Sequence, residues 1–178
     1  MSRIPLVTPA AATSDTQTLL GQIHSAFGAT PNMFRAVANS PAALKSMWGS
    51  FGALGGGVIP AALGEKIAVA IANRNACEYC LAAHTALGRK AGASSQEMSA
   101  AQGGQSDDPK TAAALHFALR VVEGRGQIED DDVAQLRNVG FNDEEIVEIL
   151  AHVALNLFTN YVNVAFAVPV DFPGVKLR

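Results

Sequence analysis

The sequence predicts an all-α protein, a compact bundle of eight to ten mostly short helices. Apolar residues recur at helical spacing along most of the chain, the period of helices buried on one face. Ala is very frequent, and it is the strongest helix former. No alternating β-branched run competes, and hairpin dipeptides between candidate strands are missing.

Each element has its own signal. Pro5 and Pro9, among many Ser and Thr, predict an extended arm over residues 1–14. Leu19, Leu20, Ile23 and Phe27 mark a first helix from Asp15, stopped at Gly28-Ala-Thr-Pro31. A short helix from Asn32 to Asn39 follows. Ser40-Pro41 fits an N-cap with Pro at the first helical position, opening a helix to about Leu54. Gly55-Gly56-Gly57 breaks the chain there. Pro60 opens a helix carrying Leu63, Ile67, Ala70 and Ile71, and Asn73-Arg74-Asn75 interrupts its period. Cys77 to about Ala91 reads as a separate helix stopped by Gly92. Ser94 or Ser95 with Glu97 predicts a capping box for a further short helix. Asp107 or Asp108 with Pro109 starts a helix that Gly124-Arg125-Gly126 ends, and an acidic-start helix spans about Glu129–Asn138. A long helix covers about Asp143–Ala167, after which Pro169 and Pro173 predict an extended tail over 168–178. A shift of 83 residues lays Glu65 on Glu148, Asn73 on Asn156, Cys77 on Asn160 and Cys80 on Asn163, the pattern a duplicated helical pair would leave.

The totals narrow the function. A length of 178 residues fits one domain spanning 1–178. Charged residues make up 16% of the chain, below the usual quarter, so some apolar surface is expected to be covered by other subunits. A net charge of −3 gives no reason to expect nucleic acid or an anionic membrane as partner. No apolar run reaches the length of a membrane span, and the N-terminus lacks a signal-type apolar core; a cytoplasmic location is expected. Two cysteines in such a chain point to chemistry rather than to a structural bridge.

Those cysteines lie in Glu65–His84, EKIAVAIANRNACEYCLAAH, with a carboxylate at its head and an imidazole at its end. On one helix Cys77, Cys80 and His84 share a face, which puts the imidazole next to the Cys80 sulfur. Cys77 falls at a helix start, where free N–H groups and the helix dipole favour the reactive thiolate. Glu65 is twelve residues before Cys77, about 18 Å along an unbroken helix, so it reaches this group only if the chain folds back at Asn73–Asn75. Several chemistries share these residue types. A C-type haem needs histidine directly after the second cysteine, where Leu81 stands. Cys77, Cys80, His84 and Glu65 have the donors for zinc, but one C-x2-C without a second pair is a weak zinc signature. A thioredoxin-type site expects a preceding strand. Two buried thiols and a hydrogen-bonded core histidine are the bland alternative.

The segment Pro60-Ala-Ala-Leu-Gly-Glu65 followed by Cys77-Glu-Tyr-Cys80-Leu-Ala-Ala-His84 resembles the alkylhydroperoxidase D-like branch of the carboxymuconolactone decarboxylase superfamily, closest to its peroxidase-related members. Pro31-Asn-Met-Phe34, Ser40-Pro41, Asn156-Leu-Phe-Thr-Asn160-Tyr161-Val162-Asn163 and Asp171-Phe-Pro173 extend the likeness over most of the chain. The resemblance implies a helical bundle assembled as trimers or as hexameric dimers of trimers, with thiol-dependent peroxidase chemistry and no cofactor or metal. It makes Cys80 the attacking cysteine, Cys77 the resolving one, and Glu65 and His84 the proton relay. The substrate is then hydrogen peroxide or an organic hydroperoxide, and the partner an external dithiol of thioredoxin-like or lipoyl type. A redox-sensing or disulfide-exchange protein keeps the dithiol without turnover, and lactone decarboxylation is the superfamily's other chemistry. Two positions depart from the pattern. Tyr79 stands where the best-studied relay has a histidine, and Val164 follows Asn163 where peroxidase-like members often carry one. His152, one turn after Glu148, and Arg74, just before the cysteines, are secondary candidates; His24, His116, Met47, Trp48 and Phe51 read as ordinary helix or core residues.

Overall fold

A computed structural model describes residues 1–178 and contains nine α-helices and no strand. They are α1 (Ser14–Phe27), α2 (Asn32–Val37), α3 (Pro41–Gly55), α4 (Ala61–Arg74), α5 (Glu78–Lys90), α6 (Ser95–Gln102), α7 (Pro109–Gly124), α8 (Asp130–Asn138) and α9 (Asp143–Ala165). A single 3-10 turn at Pro9–Ala11 interrupts the N-terminal arm. The caps read from sequence hold α3, α6 and α7. Ser40 accepts the Ala43 N–H, Ser94 and Glu97 form a reciprocal capping box, and Asp108 accepts from Thr111. Gly28 ends α1 in the left-handed conformation.

The centre of the bundle is α4. Ile67, Ala68, Val69, Ala70, Ile71 and Ala72 are all buried, so this helix has no solvent face along that stretch. It packs against α5, α6, α7 and α9. Helices α1 to α3 add a lobe cemented by Phe27, Phe34, Trp48 and Phe51, whose neighbouring rings lie 5.6–6.3 Å apart.

Helix α9 stops two residues short of its predicted end. Ala167 turns left-handed at φ 49°, and the Val168 N–H closes back onto the Asn163 carbonyl at 3.0 Å. The 83-residue echo does not extend to structure: α4 and α5 are separate helices meeting at a break, whereas Asn156 to Asn163 lie inside one unbroken helix. Glu148, the counterpart of Glu65 in that alignment, does different work. Its carboxylate accepts the Val58 and Ile59 N–H groups at 3.0 and 2.8 Å, tying the α3–α4 loop to α9. Gly57 allows this approach, because a Cβ there would overlap the Glu148 carboxylate. The Ile59 and Val58 N–H bonds hold the Glu148 carboxyl below its ordinary pKa. That stabilisation is present above the unfolded carboxyl value and is lost as pH falls through the lower folded value. Glu148→Ala is expected to cost about 1–3 kcal/mol, chiefly by leaving the part-buried Ile59 N–H unpaired, and to flatten the acid limb of the stability curve. Urea denaturation between pH 2 and pH 7 reads both effects.

Candidate active site

The fold-back that the site requires is built into the end of α4. Asn75 and Ala76 leave the helix, Ala76 at φ 52°, and the Cys77 N–H bonds the Ala72 carbonyl at 2.9 Å. A non-glycine residue with positive φ is uncommon, and here it sits one position before a cysteine. Cys77 is itself the N-cap of α5, with extended backbone, and its sulfur accepts the Cys80 N–H at 3.2 Å. The predicted helix from Cys77 therefore begins at Glu78, and Cys77 takes the role that Ser or Asp usually plays at a helix start.

The fold brings Glu65 to His84, with His84 Nδ1 2.7 Å from Glu65 Oε2. Gly88, one turn beyond His84, makes room for this approach. A Cβ at Gly88 would lie 3.2 Å from the Glu65 Cβ and overlap the end of Met98. Burial works against the imidazolium, but the Glu65 charge and hydrogen bond outweigh it and raise the His84 pKa above its ordinary value.

Both thiols are buried and reduced. Hydrogen bonding from the Cys80 side chain draws the Cys77 pKa down, against its burial, with help from the Cys80 N–H and the charge of His84. Burial pushes Cys80 well up, and the Cys77 hydrogen bond and charge push it further, while the Asn163 and Asn160 amides oppose this. The two sulfurs therefore hold their protons as one coupled pair, with negative charge settling first on Cys77.

The imidazole and the Cys80 sulfur share one cavity but are not hydrogen-bonded to each other. Cys80 Sγ instead receives the Asn163 Nδ2–H at 3.2 Å, and His84 has no hydrogen bond to either sulfur. His84 and Cys80 do line one small apolar cavity of about 30 Å³, walled by Phe34, Met33, Tyr79 and Phe172 among others. Cys77 faces another way, into a wider groove of about 400 Å³ beside Val164, Val168 and Val170.

Asn160 and Asn163 were not assigned to the site from sequence. Asn156, Asn160 and Asn163 recur at i, i+4 and i+7 on a strongly apolar helix, and that buried amide stripe was the available signal. Asn160 also accepts from Asn75 at the α4–α5 break, so the stripe holds both the break and the thiol. Arg74 does not steady a thiolate; it pairs with Glu123 at 3.1 Å on the surface. His152 lies across from Gly64 on α4, beside the Glu65–His84 pair. No three His, Cys, Asp or Glu side chains are grouped to share a metal ion.

Tyr79 is a structural clamp. Its oxygen accepts the Met33 N–H at 3.2 Å, its hydroxyl faces the Asp171 carboxylate, and its ring meets Phe172 edge-on at 5.7 Å. Asp171 also accepts the Asn32 N–H at 2.7 Å, so Tyr79 joins α5, α2 and the tail. Burial, ahead of the nearby carboxylate, pushes the phenol pKa far above its ordinary value, so Tyr79 carries no proton traffic at neutral pH. Tyr79→Phe is expected to cost about 1–3 kcal/mol for the unpaired Met33 N–H, read by urea denaturation. The alkylation rate of the cysteine pair at pH 7 is expected to stay essentially unchanged.

Comparison with known proteins follows the same geometry. Residues 41–124, from α3 through α7 and including Glu65, Cys77, Cys80 and His84, match the carboxymuconolactone decarboxylase family. No curated protein matches the sequence. The chain is similar to the alkylhydroperoxidase AhpD core structure of an uncharacterized peroxidase-related protein from Ralstonia eutropha JMP134. Identity is 26%, coverage 96% of this chain and 92% of that one, and TM-score 0.85. An uncharacterized peroxidase-related protein from Silicibacter sp. TM1040 gives 26% identity, coverage of 94% and 91%, and TM-score 0.82. The debrominase Bmp8 shares the fold at 21% identity, with coverage of 95% and 91% and TM-score 0.80.

Proposed function

We propose that this chain, which carries a carboxymuconolactone decarboxylase family domain of AhpD-like fold, is a thiol-dependent oxidoreductase that reduces peroxides through Cys77 and Cys80. The observation that carries the reading is the placement of the two sulfurs. Cys80 lines a small apolar cavity shared with His84, and its partner Cys77 lines a separate groove. About 30 Å³ of such space accommodates one or two water-sized molecules, which suits hydrogen peroxide or the O–O end of a hydroperoxide.

The steps balance without a cofactor. Cys77, the first thiolate, takes the proton of Cys80 across their hydrogen bond. Cys80 sulfur attacks the distal peroxide oxygen, the O–O bond breaks, and the imidazolium of His84 protonates the departing alkoxide or hydroxide. Cys80 is then a sulfenic acid. Cys77 sulfur attacks it, and the hydroxide that leaves takes the Cys77 proton as water. The products are a Cys77–Cys80 disulfide, one water from the sulfenic acid, and an alcohol or a second water from the peroxide. An external dithiol, thioredoxin-like or lipoyl in type, restores the pair by attacking Cys77 from its groove. Glu65 keeps His84 protonated and oriented. A homo-oligomer, trimer or hexamer, is part of the same proposal; Val147, Leu150, Phe158 and Tyr161 form an exposed apolar stripe along α9 that a second copy would cover.

The test is peroxide consumption by the wild-type chain with a dithiol present, followed with disulfide mapping. Turnover with a Cys77–Cys80 disulfide as intermediate supports the reading. A disulfide that forms without turnover transfers the assignment to redox sensing or disulfide exchange. Thiols inert to an alkylating probe at pH 7 sink both.

A further inference from the structure

A second cavity shares His84 with the first, and no step of the peroxide cycle places substrate in it. It measures about 140 Å³ and is lined by residues of α3, α4, α5 and α9. The space exists because Ala61, Gly64 and Ala68 recur at helical spacing on the face α4 turns toward it. Leu54, Ile59 and Leu155 give it apolar walls. An apolar cavity of about this volume takes up a benzene-sized ring.

One side is polar and incomplete. Asn156 is 5% exposed, and its Nδ2–H is spent on the His152 carbonyl at 2.9 Å. That leaves Asn156 Oδ1 buried without a partner, and His152 Nε2 is in the same condition. Both residues line the cavity, so a molecule bound there can pair with these two atoms. The two residues are one turn apart, with Cβ atoms about 5–6 Å from each other. A single oxygen bound in the cavity that both side chains line is therefore offered both groups. It must donate to Asn156 Oδ1, and where His152 carries its proton on Nε2 it also accepts from that N–H, the pairing a hydroxyl group makes and an ether, carbonyl or ammonium does not.

The surroundings carry no net charge to recruit an ion. Burial lowers the His152 pKa and keeps the ring neutral, although Glu148 on its own helix and Glu65 on α4 act the other way and His84 on α5 adds to the lowering. The residues of α3 that line the cavity are apolar. Glu65 and His84 compensate each other.

We propose that this cavity is a binding site for a small neutral ring compound bearing a hydroxyl group, held by Asn156 and His152 against the back of the Glu65–His84 pair. The site stands independently of the peroxide reaction, and its test needs no turnover. Phenol and cyclohexanol are titrated into the full-length protein beside benzene and cyclohexane as size-matched apolar probes, following the His152 and His84 imidazole signals by NMR. The hydroxylated probes are expected to bind at least about tenfold more tightly, the ratio one hydrogen bond of about 1.4 kcal/mol supplies. Asn156→Leu is expected to erase that preference. Ala68→Leu fills the cavity and should abolish binding; if it does not fold, Ala61→Leu, at the exposed rim, should block entry instead. Equal affinity for phenol and benzene in the wild type overturns the proposal. So does a His152 signal unmoved by any probe, which would leave a cavity holding water alone.

Discussion

Cys80→Ser is expected to return peroxide consumption to the uncatalysed background, whereas Cys77→Ser should consume at most one equivalent per chain and stop. The difference follows from what each sulfur touches. Cys80 is the sulfur in the cavity that also holds His84, so its loss removes the nucleophile from the one place where attack and leaving-group protonation meet. A serine hydroxyl there is far too weak an acid to replace a thiolate. Cys77→Ser keeps that nucleophile but takes away two functions: the low-pKa sulfur that accepts the Cys80 proton, and the thiol that resolves the sulfenic acid. The single event should therefore be slow as well as unrepeated, and a sulfenic-acid reagent should label Cys80 in this variant alone. The inverse pattern, turnover kept in Cys80→Ser and abolished in Cys77→Ser, would assign the attack to Cys77, where the resting negative charge lies.

Much of this arrangement is legible in the sequence because it is local. Capping residues at Ser40, Ser94 and Asp108 act within three positions, so the helices they start can be read directly. The interruption expected at Asn73–Asn75, which the chain makes at Asn75 and Ala76, also follows from short-range chemistry, and with it the meeting of Glu65 and His84. What the sequence does not display is the set of contacts that α9 makes across the bundle. Asn163 reaches Cys80 over 83 residues, and its amide supplies the side-chain hydrogen bond to the sulfur, which helical spacing within α5 does not reveal. Spacing fixes which residues share a face, but rotamers and the neighbouring helix decide which partner a buried sulfur finds. Tyr79 shows the same limit from the other side. It stands beside Cys80 where the relay pattern has a histidine, and its phenol is spent instead on the Met33 N–H and on Asp171 of the tail, both remote in sequence.

The pH dependence of kcat/KM is expected to be bell-shaped, and Glu65→Gln should move its alkaline limb to lower pH. The reacting form needs Cys77 deprotonated and His84 protonated. Hydrogen bonding from Cys80 draws the Cys77 pKa down, which carries the acid limb below the range of an ordinary thiol. Burial alone would lower His84, but the Glu65 carboxylate raises it above an ordinary imidazole, and this extends activity on the alkaline side. Neutralising Glu65 removes that support and leaves burial unopposed. The acid limb should move up only slightly, because Glu65 acts on Cys77 through the charge of His84, one of the smaller influences on that thiol. His84→Gln should abolish the alkaline limb and slow the reaction by about 10²- to 10⁴-fold, the usual worth of a positioned proton donor. It should also move the acid limb upward, since the His84 charge is one of the influences lowering Cys77. The same pair has a stability signature of fixed sign. A histidine whose pKa is raised by folding stabilises the native state fully below its unfolded value, and that contribution disappears as pH rises through the folded value. Urea denaturation across pH 5 to 9 should show this loss in the wild type and its absence in Glu65→Gln. An alkaline limb that stays in place in Glu65→Gln would mean that a group other than His84 sets it, and the Glu65–His84 pair would then be structural rather than part of the chemistry.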